Sequence, residues 1–450
     1  MFWGRGKVSS ASRWMFLIGL GGQTQFHFFG SIGVSEFPIY LLAPIVFVQD
    51  YNLLRRDGFL PWIWLSILTC VGCLVASFAN NINFIFVLKG LATPYSIFAV
   101  GVVFHRFIRR DLMSFRWFLI GFFLSGIVCT FVFQPETYTL TQGAIAQGDE
   151  AVEMMISHPL YWTSRIAAIL QLPVNGWYLN VPHLYSFLVV FGAGIISILF
   201  SGSSGRSSFA ISIVTSALIL FGGKSRRRMR TLGNKLWILA MLGLILTIGI
   251  KTAYKQAAKT GILGEEALEK YEKQTSRGDS MLKILMAGRK EFFIAMSAGI
   301  DKPILGHGPK AEDTSGYAEA FLLKYGDDAD YRSYAKSVLD DQRRGFTYRV
   351  IPTHSYIGSF WVYYGIFGLV YWIYVLYLMW RYFQRYSASV PQWFGYQCTA
   401  FFGMIWGIFF SPYGQRLSAV LPIVVALFAK AVYEKRFVLP WRMELEAQRA

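Results

Sequence analysis

Several windows of about 20 residues in this chain carry no charged side chain, the length a helix needs to cross roughly 30 Å of hydrocarbon. Uninterrupted apolar runs of that length read as transmembrane helices. Composition agrees: 54% of the 450 residues are hydrophobic and 15% are charged, where soluble domains carry about 25% charged. The chain reads as an all-α polytopic membrane protein. Its net charge of +17 resembles that of a nucleic-acid binder, but the cations fall in short blocks between apolar runs. That distribution encodes orientation in a membrane, so no nucleic-acid partner is expected.

The basic blocks fix the expected topology. Arg55-Arg56, then Arg106, Arg109, Arg110 and Arg116, then Lys224, Arg226, Arg227, Arg228, Arg230 and Lys235 mark cytoplasmic loops, as do Arg381 and Arg385. The expected spans begin with Trp14 to Gly33, interrupted by Gln23-Thr24-Gln25, and Phe37 to Val48. Next come Leu60 to Ala79, Asn83 to His105 and Trp117 to Phe133. Parity then requires a crossing at Tyr161 to Tyr178, read as a span or a re-entrant segment, before Leu184 to Phe200, Ser207 to Phe221 and Leu236 to Ile250. Tyr356 to Met379, Gln397 to Phe410 and Leu417 to Tyr433 complete about twelve crossings, with both termini cytoplasmic. Three regions result: a transmembrane bundle over 1–250, a mainly helical outer loop over 251–353, and further membrane helices with a short tail over 354–450.

The N-terminal Arg5, Lys7 and Arg13 ahead of an apolar run imitate a signal peptide, but no small-residue cleavage site follows, so an uncleaved first helix is expected. Cys70 and Cys73 form a C-x-x-C inside an apolar span with no second pair and no histidines near it, and Cys129 and Cys398 also lie in apolar runs. All four read as packing residues. No Walker-type loop is present, so ATP is not expected; no cofactor or metal is expected either.

Candidate chemistry gathers on the outer face. Arg206 opens a membrane helix within Ser203-Ser204-Gly205-Arg206-Ser207-Ser208. A single arginine there ordinarily snorkels to headgroups. Here small residues on both sides let a phosphate approach the helix N-terminus, where free N–H groups favour an anion and a guanidinium adds a planar fork. Arg289 follows Ala287-Gly288 and precedes Asp301-Lys302-Pro303-Ile304-Leu305-Gly306-His307-Gly308. Pro352-Thr353-His354-Ser355, nine residues, Gly365 and two more to Gly368 join the outer loop to the apolar run that follows. Arg416 stands at the outer end of the last span as a third cation, and Arg343, Arg344 and Arg349 lead toward His354. Asp328-Ala329-Asp330 has the look of a metal-binding pair but reads better as a solvated acidic turn, and His307 between two glycines reads as a substrate contact or a turn histidine.

This order, a Ser-rich arginine helix, Gly-Arg, Pro-Ile-Leu-Gly-x-Gly and His-Ser-x9-Gly-x-x-Gly, resembles the shared core of the bacterial O-antigen ligase and O-antigen polymerase superfamily over roughly Leu184 to Trp380. The resemblance implies a metal-independent membrane glycosyltransferase of glycosyltransferase-C-like architecture. Its donor would be a glycan on an undecaprenyl pyrophosphate carrier, used at the periplasmic face of the inner membrane. It further implies that Arg206 and Arg289 engage the donor pyrophosphate and that His354 is the general base on the acceptor hydroxyl. A ligase passes the glycan to lipid A–core and a polymerase to another lipid-linked glycan, with the same residues, and the histidine motif leans to the ligase. A non-enzymatic transporter of lipid-linked glycan would carry polar residues along a mid-membrane path. Only Lys89 and Lys430 interrupt the apolar spans in that way, and a plain scaffold leaves the ordered motifs unexplained.

Overall fold

A computed structural model of the chain describes residues 9–21, 25–27, 31–111, 114–131, 187–188, 190–192, 194–195, 206–222, 256, 260, 290–325, 328–343, 348–353, 355–386 and 394–410. The expected segments at 137–178, the basic block 224–235, and the spans at 236–250 and 417–433 lie outside the described residues. The described fold is helical, with one short antiparallel ribbon.

Among the described residues, three helices are long and apolar enough to cross a membrane: α2 (Glu36–Arg56), α3 (Leu60–Ala79) and α4 (Phe84–Arg110). The ends of α3 and α4 carry ordinary start signals. Pro61 sits in the first turn of α3, where its missing N–H costs nothing, and the Asn83 side chain accepts the Ile85 N–H at 2.9 Å to cap α4. Cations close α2 (Arg55, Arg56) and α4 (Arg109, Arg110), where the helix dipole favours them. The two basic ends lie together, because Asp57, just beyond α2, accepts hydrogen bonds from His105 (3.0 Å) and Arg109. Burial would raise the Asp57 pKa, but those two donors outweigh it and hold the carboxyl well below the usual range.

The first apolar run departs from the expected single crossing. Helix α1 (Ser10–Leu20) has 11 residues, about 16 Å of rise. It stops at Gly21, and the chain continues into an antiparallel ribbon, β1 (Gln25–His27) paired with β2 (Ser31–Gly33). Two consecutive glycines and the polar Gln23-Thr24 end the helix before it is long enough to span. It packs instead on α5 (Ser114–Phe131) at a close crossing, where a Cβ on Gly19 would fall 2.2 Å from the Phe118 carbonyl oxygen and one on Gly121 equally close to that of Phe16.

Helix α6 (Arg206–Gly222) coincides with the expected span there. The segment expected to form the outer loop holds α7 (Lys290–Asp301), α8 (Tyr317–Tyr325) and α9 (Asp328–Arg343). The expected span from Tyr356 to Met379 is two helices, α10 (Tyr356–Tyr364) and α11 (Ile366–Tyr386), divided at Gly365 with φ 62° and ψ −145°. Only glycine adopts that backbone readily. Helix α12 (Phe394–Phe410) follows. The C-terminal helices join the bundle through α3 and α4: Trp62 Nε1 donates to Tyr371 Oη at 2.9 Å, and Tyr364 Oη donates to the Gly90 carbonyl at 2.9 Å. Of the cysteines, Cys73 and Cys398 are buried and Cys70 half-buried, all three as free thiols; the Cys129 side chain lies outside the described residues.

Candidate functional site

Two motif segments about fifty residues apart in sequence are docked on each other. The Pro303–Gly308 turn lies across the junction of α10 and α11. His307 N–H donates to the Val362 carbonyl at 2.6 Å, Ile366 N–H to the Ile304 carbonyl at 3.1 Å, and Trp361 Nε1 to the Pro303 carbonyl at 3.1 Å. The glycines permit this approach. A Cβ on Gly365 would sit 2.0 Å from the Ile304 carbonyl oxygen, and one on Gly306 (φ 74°) would sit 2.6 Å from the Gly365 nitrogen and 2.8 Å from the Val362 carbonyl oxygen. The spacing His-Ser-x9-Gly-x-x-Gly therefore measures out α10 and the break that receives the turn.

Helices α7 and α10 run side by side in the same direction, since Gly358 faces Ala295 and, further along both, Trp361 faces Gly299. Their first turns therefore lie at one end of the pair. The last turns of α12 meet them there: Phe409 stacks edge-on to Phe292 at 6.5 Å between ring centroids, and Gly407 lies against the Tyr356 ring. Three helix ends thus converge, and candidate residues adjoin two of them. Arg289 immediately precedes α7, His354 is separated from α10 by Ser355, and Arg416 follows α12 by six positions. Arg289, His354 and Arg416 themselves lie outside the described residues. Arg206 begins α6, which packs on α12, and its side chain is likewise outside them.

The flanks of His354 are pinned. Ser355 is buried and its Oγ accepts the Gly358 N–H at 3.0 Å, capping α10, while the Thr353 carbonyl accepts from Ser359 Oγ at 3.1 Å. Upstream, residues 350–351 pair with residues 311–312 at an isolated β-bridge: Ile351 N–H donates to the Ala311 carbonyl at 3.0 Å, and Glu312 bridges Val350. Asp313 then accepts the N–H groups of Tyr317 and Ala318, both at 2.8 Å, and starts α8. Sequence reasoning missed Asp313, although an Asp ahead of a helical run is a cap signal.

Arg349 lies 5.1 Å from the centroid of the Tyr334 ring on α9. Burial lowers its pKa, while the charges of Glu291 in the first turn of α7 and Asp341 in α9 raise it. It balances those carboxylates where the first turn of α7 meets the strand leading to His354. His307 is a structural residue. It is buried, its Nε2 meets the Ala298 carbonyl at 2.9 Å, and its ring packs edge-on to Tyr317. Burial depresses its pKa, with the hydrogen bond to Ala298 opposing. The phenol of Tyr317 donates to Asp301 at 2.5 Å, and burial followed by that carboxylate pushes its pKa up to about 12. Asp328 and Asp330, expected in an acidic turn, lie in the first turn of α9.

No protein-family model matches the chain, and no curated protein matches it.

Proposed function

We propose that the protein transfers a glycan from an undecaprenyl-pyrophosphate carrier to an acceptor hydroxyl at the outer face of a bacterial inner membrane, without a metal, as an O-antigen ligase does. The reading takes about twelve crossings with both termini cytoplasmic, the site lying on the face opposite the basic helix ends. The observation that carries it is the convergence of the first turns of α7 and α10, next to Arg289 and His354 in the chain, with the last turns of α12.

In this mechanism the neutral imidazole of His354 takes the proton of the acceptor hydroxyl. The freed oxygen pair attacks the anomeric carbon from the face opposite the leaving group. The bond from that carbon to the pyrophosphate oxygen breaks, its electron pair departs with undecaprenyl pyrophosphate, and the anomeric configuration inverts. Arg206 and Arg289, with Arg416 beside them, neutralise the charge that develops on the leaving oxygens, the role a divalent ion takes in other transferases. Lys89 bears on the transporter alternative. It lies in the second turn of α4 on its exposed side, where a lysine reaches the interface rather than an interior path.

The test is transfer by purified protein in detergent, with a lipid-pyrophosphate-linked glycan and EDTA throughout, offering lipid A–core and a second lipid-linked glycan separately. Product on lipid A–core is expected. Elongated lipid-linked glycan instead makes the protein a polymerase of the same chemistry, and no product with either acceptor overturns glycan transfer in favour of transport.

A further inference from the structure

We infer that the turn from Ile300 to Leu305, although part of the outer loop, is immersed in the acyl chains of the outer leaflet and anchors α7 to the membrane. Three observations carry this. The first is apolar exposure: Ile300 is 67% exposed and Ile304 68%, and Leu305 is exposed beside them. In a loop facing water, three such side chains at the tip of one turn would be an unexplained apolar patch.

The second is continuity with surfaces already facing lipid. Asn80, at the end of α3, donates from Nδ2 to the Gly306 carbonyl at 3.2 Å, and its Oδ1 accepts from Lys302 Nζ at 2.7 Å. The Ile304 carbonyl is held by the first residue of α11. The turn is thus level with the ends of α3 and α11, whose outward residues include Phe78 (80% exposed) and Ile366.

The third is the backbone. Irregular chain survives at membrane depth only where its polar groups are satisfied by protein. Here the Lys302 carbonyl accepts from Gly306 N–H, the Pro303 carbonyl from the Trp361 indole, the Ile304 carbonyl from Ile366 N–H and the Gly306 carbonyl from Asn80. The two charged members are also matched, Asp301 by the Tyr317 phenol and Lys302 by Asn80, as befits groups at an interface. Trp361, its ring against Gly299 and its N–H on the Pro303 carbonyl, has the amphipathic ring that suits a membrane interface.

The outer leaflet is assigned from the topology proposed above, whereas immersion itself rests on geometry alone. Helix α7 is then tied to lipid at its Asp301 end, and its Lys290 end rises about 18 Å along the helix from that tie.

The experiment places a bimane fluorophore on Ile304→Cys in the full-length protein, reconstituted in phosphatidylglycerol–phosphatidylethanolamine vesicles, with wild type labelled in parallel to set the background of the native cysteines. Brominated-chain lipids should quench most of the emission and aqueous iodide little. Lys336→Cys, on the exposed surface of α9, should show the reverse. Quenching of the residue-304 probe by iodide and not by brominated lipid overturns the inference, and so does quenching by neither. Ile300→Cys repeats the measurement should the first variant fail to fold. Because no glycan is involved, failure here leaves glycan transfer standing, and a failed transfer assay leaves immersion standing.

Discussion

His307 packs its ring against Tyr317 and holds the Ala298 carbonyl, with Asp301, Lys302 and Asp313 as its charged surroundings. Its folded pKa lies below the 6.5 of a free histidine because burial disfavours the imidazolium. The unfolded chain therefore binds the proton more tightly. The stability His307 contributes is complete above about pH 6.5 and is lost as pH falls through that value toward the folded pKa. Thermal unfolding in detergent should show Tm falling between about pH 7.5 and pH 5, with a shallower fall in His307→Gln; parallel curves would contradict this. Asp57 does not confuse the reading. Its pKa is depressed, so its contribution is present throughout that window and is lost only at pH values below the usual carboxylate range. Asp57→Asn should destabilise by about 3 kcal/mol, because it leaves His105 and Arg109 facing a lost partner in a largely buried site. An unchanged Tm in that variant would mean the pair is solvated rather than structural.

At the scale of elements, Gly365→Ala tests the helix break directly. The added methyl meets the Ile304 carbonyl oxygen in a backbone region that excludes side chains, an expected loss of about 2–4 kcal/mol. It should lower Tm by several degrees and make the 303–308 turn more sensitive to protease; a wild-type Tm would contradict the docking. The same glycine shows what was legible in the sequence. Hydropathy located α3 to the residue and α6 to within one, because an apolar helix in lipid is set by length and charge alone. It read Tyr356 to Met379 as one helix, because a φ-positive glycine inside an apolar run leaves hydropathy unchanged. It read Trp14 to Gly33 as one crossing interrupted by Gln23-Thr24-Gln25, because hydropathy shows a polar interruption without showing that the helix stops there. The motif glycines were visible as spacing, but their purpose, to admit the turn bearing His307, depends on contacts about fifty residues apart that no local pattern encodes. Nor did any local pattern reveal the link through Asn80.

For the molecule as a whole, the central claim is that groups at converging helix ends act as one site on a lipid-linked pyrophosphate. Order along the chain named Arg206, Arg289, His354 and Arg416; packing of α7 and α10 brings together the helix ends next to Arg289 and His354, with the last turns of α12 against them. Two roles are assigned, pyrophosphate binding to the arginines and proton removal to His354, and they are separable. The most direct measurement is donor affinity beside transfer rate in wild type, Arg289→Ala and His354→Ala, each checked for a wild-type Tm. Arg289→Ala should bind the lipid-pyrophosphate donor about ten-fold or more weakly, the loss of one charge-assisted contact. His354→Ala should bind it as wild type does while transfer falls by about 10²-fold or more. Undiminished donor binding in Arg289→Ala, or full transfer by His354→Ala, would contradict the account.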